Sequence, residues 1–297
     1  MEVSISSSAN IFTSEWMPAP ASLDQGVALY AIGDVHGRLD LLRGLVDYLQ
    51  GHVFVADGLE RRLVMLGDYV DRGPSGVAVL CYLSCLKLEG VELVTLKGNH
   101  EEYLGAFLSA DDIGARFTQL WLVNGGRQTL AELGIDDNDL ADLDLDAVRQ
   151  LAKARMPAPA LAFLSGLEPY LRIGPYLFVH AGVEPDVPFT DAAEGLTTIR
   201  EPFLRAWGWI HDFVVVHGHT ICGPDVLPHR VAVDSGAWFT GILTCVELRE
   251  DRLRFIAATF DHDLSKLDRV PYRQVPAHSA WSLASGRGVA EASPTRL

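Results

Sequence analysis

The chain has 297 residues, 48% of them hydrophobic and 21% charged, which is the balance of a globular protein with a sizeable core in one large domain or two small ones. Its net charge of −15, from 24 basic and 39 acidic residues, excludes broad nucleic-acid binding but leaves room for a phosphorylated substrate, because bound cations would reverse the sign locally. No apolar run approaches the roughly 20 residues needed to span a bilayer. Met1 to Met17 holds no Lys, no Arg and no apolar h-region, so it is not a signal peptide. The cysteines, Cys81, Cys85, Cys222 and Cys245, match no zinc or redox spacing, and a reduced, cytoplasmic setting is expected.

Residues 1–26 are mixed, with Ser and Pro, and are expected to be a loose N-terminal segment. Val27 to Ile32 reads as a strand, and Leu39, Leu42, Leu45, Val46 and Leu49 recur at helical spacing. Arg62 to Leu66 is a second strand, Val77, Val79, Leu80, Leu83 and Leu86 a second helical face, and Val91 to Leu96 a third strand. This alternation predicts βαβ units and a largely parallel core with its ligands at the carboxyl ends of the strands. Residues 103–169 read as an acidic helical insertion over one rim, with a Gly-marked turn at Trp121-Leu-Val-Asn-Gly-Gly. Strand runs return at Tyr176 to Val179, Phe213 to Val216, Arg230 to Val233, Gly241 to Leu248 and Leu253 to Ala258. Nothing of helix length separates the last three, so hairpins in a second, mixed sheet are expected. The expected architecture is an α/β sandwich of two mixed β-sheets flanked by helices. It forms a single domain over 27–260, followed by a mobile tail over 261–297 that is rich in Pro, Ser, Ala and Arg.

Five short runs carry the chemistry: Gly-Asp-Val-His-Gly at 33–37, Gly-Asp-Tyr-Val-Asp-Arg-Gly at 67–73, Gly-Asn-His-Glu at 98–101, Val-His-Ala-Gly at 179–182 and His-Gly-His-Thr at 217–220. Each sets a hard oxygen or imidazole ligand beside a glycine, and four of the five follow a strand-like run. Asp34 and His36, two apart in a tight turn, are able to point at one ion. Asp68 is the candidate bridging carboxylate, Asn99 offers an amide oxygen, and His180 and His219 offer imidazole nitrogens. Two Asp, one Asn and three His are what two divalent cations sharing a carboxylate need, and the mixed oxygen and nitrogen set suits Mn, Fe or Zn.

In order and content these runs resemble the calcineurin-like metallophosphoesterases, and within them the bacterial and phage form of the phosphoprotein (Ser/Thr) phosphatase branch, over about residues 28–250. The resemblance implies that Asp34, His36 and Asp68 hold one metal, and that Asp68, Asn99, His180 and His219 hold the other, with Mn expected. It implies a hydroxide shared by the two ions as nucleophile. It also implies His100 as the general acid, Asp71 as the residue that orients it, and Arg72 and Arg200 as phosphate-binding groups. Other branches place a further histidine where Ile221 stands, and His217 reads as structural. Lys97 replaces an Arg before Gly-Asn-His-Glu, and Thr198 replaces a Trp two residues before Arg200. The activity so implied is a two-metal phosphomonoesterase, a serine/threonine protein phosphatase first of all, acting on a phosphorylated protein or a small phosphoester. One alternative is hydrolysis of dinucleoside polyphosphates or RNA 5′ pyrophosphate ends. The symmetrical tetraphosphatases of the superfamily tend to carry Gln at the position of His36, which disfavours it. Another alternative, of a different class, is a metal-binding regulatory module.

Overall fold

The computed structural model describes residues 9–55, 57–109, 118–190 and 194–260. The first sheet is built on β3 (Val27–Ile32), β4 (Glu60–Met65) and β5 (Val91–Thr95), which run parallel. The crossovers β3–α1–β4 and β4–α2–β5 use helices α1 (Leu39–Tyr48) and α2 (Gly76–Cys85). Side chains alternate across this sheet, as pleating requires. Ala28, Tyr30, Ile32, Leu63 and Met65 pack against buried residues of α1 and α2. Leu29, Ala31, Val64 and Leu66 point the other way. With both faces covered, β3 reads as a near-continuous apolar run, whereas β4 opens on Glu60, Arg61 and Arg62 and β5 is largely half-buried.

The opposite face meets a second sheet, in the order β6 (Tyr170–Ile173), β7 (Tyr176–Val179), β8 (Val214–His217), β10 (Arg230–Ala232), β9 (Asp225–Leu227). Here β7, β8 and β10 are parallel, and β6 and β9 are antiparallel edges. Phe178, Val216 and Val231 close the core between the sheets. The architecture is therefore the expected α/β sandwich of two mixed sheets.

Two expectations need correction. The last two strands, β11 (Ile242–Arg249) and β12 (Arg252–Thr259), form a hairpin in the first sheet, where β11 lies antiparallel to β3. β10 does not join them: a bend and a short helix over Ala237–Thr240 carry the chain from one sheet to the other. The physical reason is that β11 is buried along nearly its whole length: the edge of β3 pairs its backbone, and there the helices cover Leu243 and Cys245 while the second sheet covers Val246 and Leu248. The second correction concerns residues 9–26, expected to be loose. Asn10–Thr13 (β1) and Met17–Pro18 (β2) pair with β12, covering backbone groups that a bare edge strand would leave open. The sequence signal was weak because β1 spans four residues and sits among serines. Residues 1–8 and the C-terminal tail from 261 lie outside the described residues.

From β5 the chain runs straight into α3 (Asn99–Ser109), then through a π-helical turn at Leu122–Gly126 into α4 (Arg127–Glu132), α5 (Asp137–Asp142), α6 (Leu145–Arg155) and α7 (Ala158–Ser165). The acidic stretch starts α5 with a capping box between Asp136 and Asp139. No helix among the described residues is long and apolar enough to cross a membrane.

Candidate metal centre

The ligand-bearing runs leave the carboxyl ends of β3, β4, β5, β7 and β8, so five loops converge on one end of the sandwich. Their backbone is strained there. Among the described residues, non-glycine positions with positive φ are His36 (42°), Asp68 (52°), Asp71 (68°), Arg72 (64°), His219 (63°) and Glu250, and all but the last lie in these loops. Such conformations cost of order 1–3 kcal/mol each and persist where the surroundings over-determine them. Loop-to-loop hydrogen bonds do that here: the backbone N–H groups of Val35 and His36 both donate to the Asp68 carbonyl, and Gly218 donates to the His180 carbonyl. A side chain at Gly98 would collide with the Asp68 carboxylate, and one at Gly218 with that of Asp34, so glycine is required at both.

Two groups of ligand atoms form, each within 4.8 Å: His36, Asp68 and His100, and Asp68, His180 and His219. Asp68 belongs to both and divides its oxygens between them. Its Oδ2 lies 3.4 Å from His36 Nε2, and its Oδ1 lies 3.3 Å from His180 Nε2. The imidazoles are oriented from behind. His36 Nδ1 donates to the Val70 carbonyl and His180 Nδ1 to the Leu66 carbonyl, each at 2.8 Å, which turns both Nε2 atoms inward as ligands require. Asn99 Oδ1 reaches His180 Nε2 at 3.2 Å. His219 Nε2 is buried without a partner, a costly state unless something binds it.

The electrostatics ask for positive charge. Burial opposes the charged imidazole of His180, but the Asp68 carboxylate outweighs it and pulls the group up to about 10. Burial likewise opposes ionisation of Asp68, and His180 and His100 overcome it, holding the carboxyl well below its usual range. A divalent cation would exchange for such protons. The donor set of carboxylate, amide oxygen and inward-facing imidazole fits Mn, Fe or Zn. Asp34 stands apart from both groups of three. Its oxygens accept from the backbone N–H of His219 at 3.0 and 3.1 Å. Burial first, and then the neighbouring carboxyl of Asp234, push it well above its usual range.

His100 sits beside the centre with Nδ1 2.6 Å from Asp71 Oδ2. Arg72 extends a fork toward the same place, with Nη1 3.0 Å from His36 Nε2 and Nη2 3.0 Å from His100 Nε2. Arg200 donates to Thr220 Oγ1 at 3.3 Å, across from it. A cavity of about 790 Å³ opens on this side; Arg72, Arg127, Arg200, His219, Ile221 and Trp238 contribute to its wall, and Lys97 does not. All ten of the expected site residues thus gather in one place. His217 turns away: its Nδ1 meets the Gly218 carbonyl and its Nε2 faces Arg230.

Four further residues belong to the site. Glu101 accepts from four backbone N–H groups, those of Asp68, Tyr69, Val70 and Gly98, and so ties the second loop to the third. Trp121 Nε1 donates to Asp71 Oδ2 at 2.8 Å, and Thr129 Oγ1 donates to Asp71 Oδ1 at 2.5 Å. Asp234, buried beside Asp34, accepts from the Gly236 N–H at 2.8 Å. Glu101 lies inside a run already singled out, and Asp234 repeats the pattern of an Asp just beyond a strand. Trp121 and Thr129 carry no local signal, since their partner is 50 and 58 residues away.

Comparison with known proteins agrees with this geometry. The model of the calcineurin-like phosphoesterases matches residues 28–237. A symmetrical bis(5′-nucleosyl)-tetraphosphatase of Dechloromonas aromatica is 31% identical over 191 residues, 61% of this chain and 56% of its own length. An asymmetrical bis(5′-nucleosyl)-tetraphosphatase of Halalkalibacterium halodurans is 27% identical over 240 residues, 74% of this chain and 89% of its own. A candidate serine/threonine-protein phosphatase of Caenorhabditis elegans is 44% identical over 71 residues, 24% of this chain and only 18% of its own. The chain thus spans well under two thirds of the first and third of these relatives. The crystal structure of a candidate diadenosine tetraphosphatase shares the fold, with a TM-score of 0.50 at 19% identity, covering 80% of this chain and 100% of that one.

Proposed function

The chain belongs to the calcineurin-like phosphoesterase family, and on that footing we propose that it is a metal-dependent hydrolase that cleaves a phosphoric anhydride bond of a dinucleoside polyphosphate. The observation that carries this reading is the cavity of about 790 Å³ at the candidate metal centre, with Arg72, Arg127 and Arg200 in its wall. Its size falls in the range of small-molecule sites, roughly 300–1,000 Å³. Arg127 is paired with Asp137, which leaves Arg72 and Arg200 as the guanidiniums for phosphate, and two such forks suit a chain of phosphates better than a single phosphomonoester. The relatives that align over most of their own length are named as tetraphosphatases, which supports this reading over the protein phosphatase that the sequence alone put first.

Asp68 and the groups around it would hold the cations: Asp34 and His36 on one side, and Asn99, His180 and His219 on the other. Metals bound there would polarise phosphoryl oxygens and supply a water of lowered pKa. In this reading Arg72 would grip two phosphate oxygens with its fork, and Arg200 would hold the next group along. His100 would give a proton to the departing oxygen, with Asp71 fixing its tautomer and orientation.

The test is turnover of diadenosine tetraphosphate against a phosphoserine peptide, with metal-analysed protein. A higher kcat/KM for the nucleotide supports the reading, and a clear preference for the peptide sinks it. The peptide result would establish a serine/threonine protein phosphatase, the second reading. That reading is favoured by His36 at the site and by the 44% identity over 71 residues to the Caenorhabditis elegans protein. Metal binding with neither activity would instead indicate a regulatory module.

A further inference from the structure

We propose that the indole of Trp238 is a stacking platform for a nucleobase, holding the nucleoside end of a ligand whose phosphates reach the metal centre. The ligand class is taken from the function proposed above, while the geometry stands separately.

Trp238 is a large apolar side chain left 41% exposed at the wall of the cavity. It rides on the short helix α8 (Ala237–Thr240), which is bounded by Gly236 and Gly241, both in the left-handed region. The segment is firmly held. The Gly236 N–H donates to Asp234 Oδ1 at 2.8 Å, Arg38 Nη1 donates to the Ala237 carbonyl at 3.0 Å, and Thr240 Oγ1 donates to the Ser235 carbonyl at 2.9 Å. An exposed aromatic on an anchored backbone is a preorganised surface, because little ordering is left for a ligand to impose.

The wall of the cavity is mixed. Arg72, Arg127, Arg200 and His219 bring basic groups to it. Leu122, Val123, Ile221 and Trp238 bring apolar surface. Ile221, two residues beyond His219, is part of this wall and 45% exposed. The Arg72 guanidinium carbon lies over the Trp238 ring, 5.7 Å from its centre, so one face of the indole already carries a phosphate-binding group and a base would take the face left open. The amides of Asn124 and Gln128 on the same cavity add polar groups for a base edge. A base against the indole with its phosphates on Arg72 uses both the apolar and the basic parts of the wall, whereas inorganic phosphate uses only the basic part. Base–aromatic stacking tolerates any base, so the platform would give affinity without strong base preference.

The test compares α,β-methylene-ADP with methylenediphosphonate, two slowly hydrolysed ligands that differ by the nucleoside, titrated calorimetrically into the full-length metal-loaded protein. The nucleoside is expected to tighten binding roughly 10-fold or more, in keeping with the strength of base–aromatic stacking. Trp238→Ala and Trp238→Leu should abolish most of that ratio, while Trp238→Phe keeps much of it. The Leu variant separates the π face from mere apolar area, and thermal melts confirm that each variant folds. Equal affinities for the two ligands in the native protein, or an undiminished ratio in Trp238→Ala, overturns the proposal. A native ratio with no turnover of diadenosine tetraphosphate removes the proposed function and leaves the platform. Turnover with a flat ratio does the reverse.

Discussion

His100 Nδ1 and Asp71 Oδ2 lie 2.6 Å apart, both closed to solvent, and Asp71 also accepts from Trp121 at Oδ2 and from Thr129 at Oδ1. This is a short, charge-capable hydrogen bond in a dry setting, where it is stronger than in water. It holds the imidazole with Nε2 toward Arg72 and the Asp68 carboxylate.

If His100 supplies the proton for the departing oxygen, His100→Asn should retain its metal and lose roughly 100-fold or more in kcat on alkyl phosphates. The loss should be smaller on aryl phosphates, whose leaving groups need less help. Steady-state kinetics on the two classes decide it, and near-native turnover of an alkyl phosphate by this variant removes His100 from the chemistry.

The helical segment contributes to the site through Trp121. Trp121→Phe keeps the ring packing and deletes the donor to Asp71. One such hydrogen bond is worth about 1 kcal/mol, so kcat should fall roughly 5-fold with little change in KM. Because a purely structural role would lower the melting temperature without splitting kcat from KM, both are measured. An unchanged kcat refutes positioning through Asp71.

Asp68 is the only residue common to both groups of ligand atoms. Asp68→Ala should therefore lose both ions, while His219→Ala should weaken one of them. Metal analysis after gel filtration reads this directly. Retention of a full complement by Asp68→Ala means that the carboxylate does not bridge.

His229 supplies a pH prediction away from the centre. Burial, and then the Arg230 guanidinium, lower its imidazole to about 4. The folded state is therefore neutral at this position over a range where the unfolded chain binds a proton, whose ordinary pKa is about 6.5. Stability from this source is complete above pH 6.5 and is lost as pH falls from there toward 4. In urea titrations His229→Gln should lose less stability between pH 7 and pH 5 than the native protein does. Parallel losses in the two proteins contradict it.

The legibility of this chain in its sequence was uneven, for identifiable reasons. β3 was readable because burial on both faces makes it a continuous apolar run, while β4 and β5 showed in shorter apolar stretches, Leu63 to Met65 and Leu93 to Val94. The ligand residues were readable because each stands in the few residues after such a strand. β1 and β2 were not, because two to four residues carry too little pattern and their pairing depends on the open edge of β12. The place of β11 beside β3 was also hidden, since its partner lies more than 200 residues earlier.

By itself the sequence determined the parallel core and the five glycine-marked loops with their candidate ligands, since each is a local pattern of apolar period, glycine and ligand type, while Asp71, Arg72, His100 and Arg200 were expected only from the family resemblance. Only the tertiary structure decided that Asp68 shares its oxygens between two groups, that Asp234 lies against Asp34, that Trp121 and Thr129 hold Asp71, and that Trp238 borders the cavity with Arg72 and Arg200. These are contacts between segments far apart in the chain, set by how the sheets pack and where the loops are pinned, and no window of sequence contains both partners.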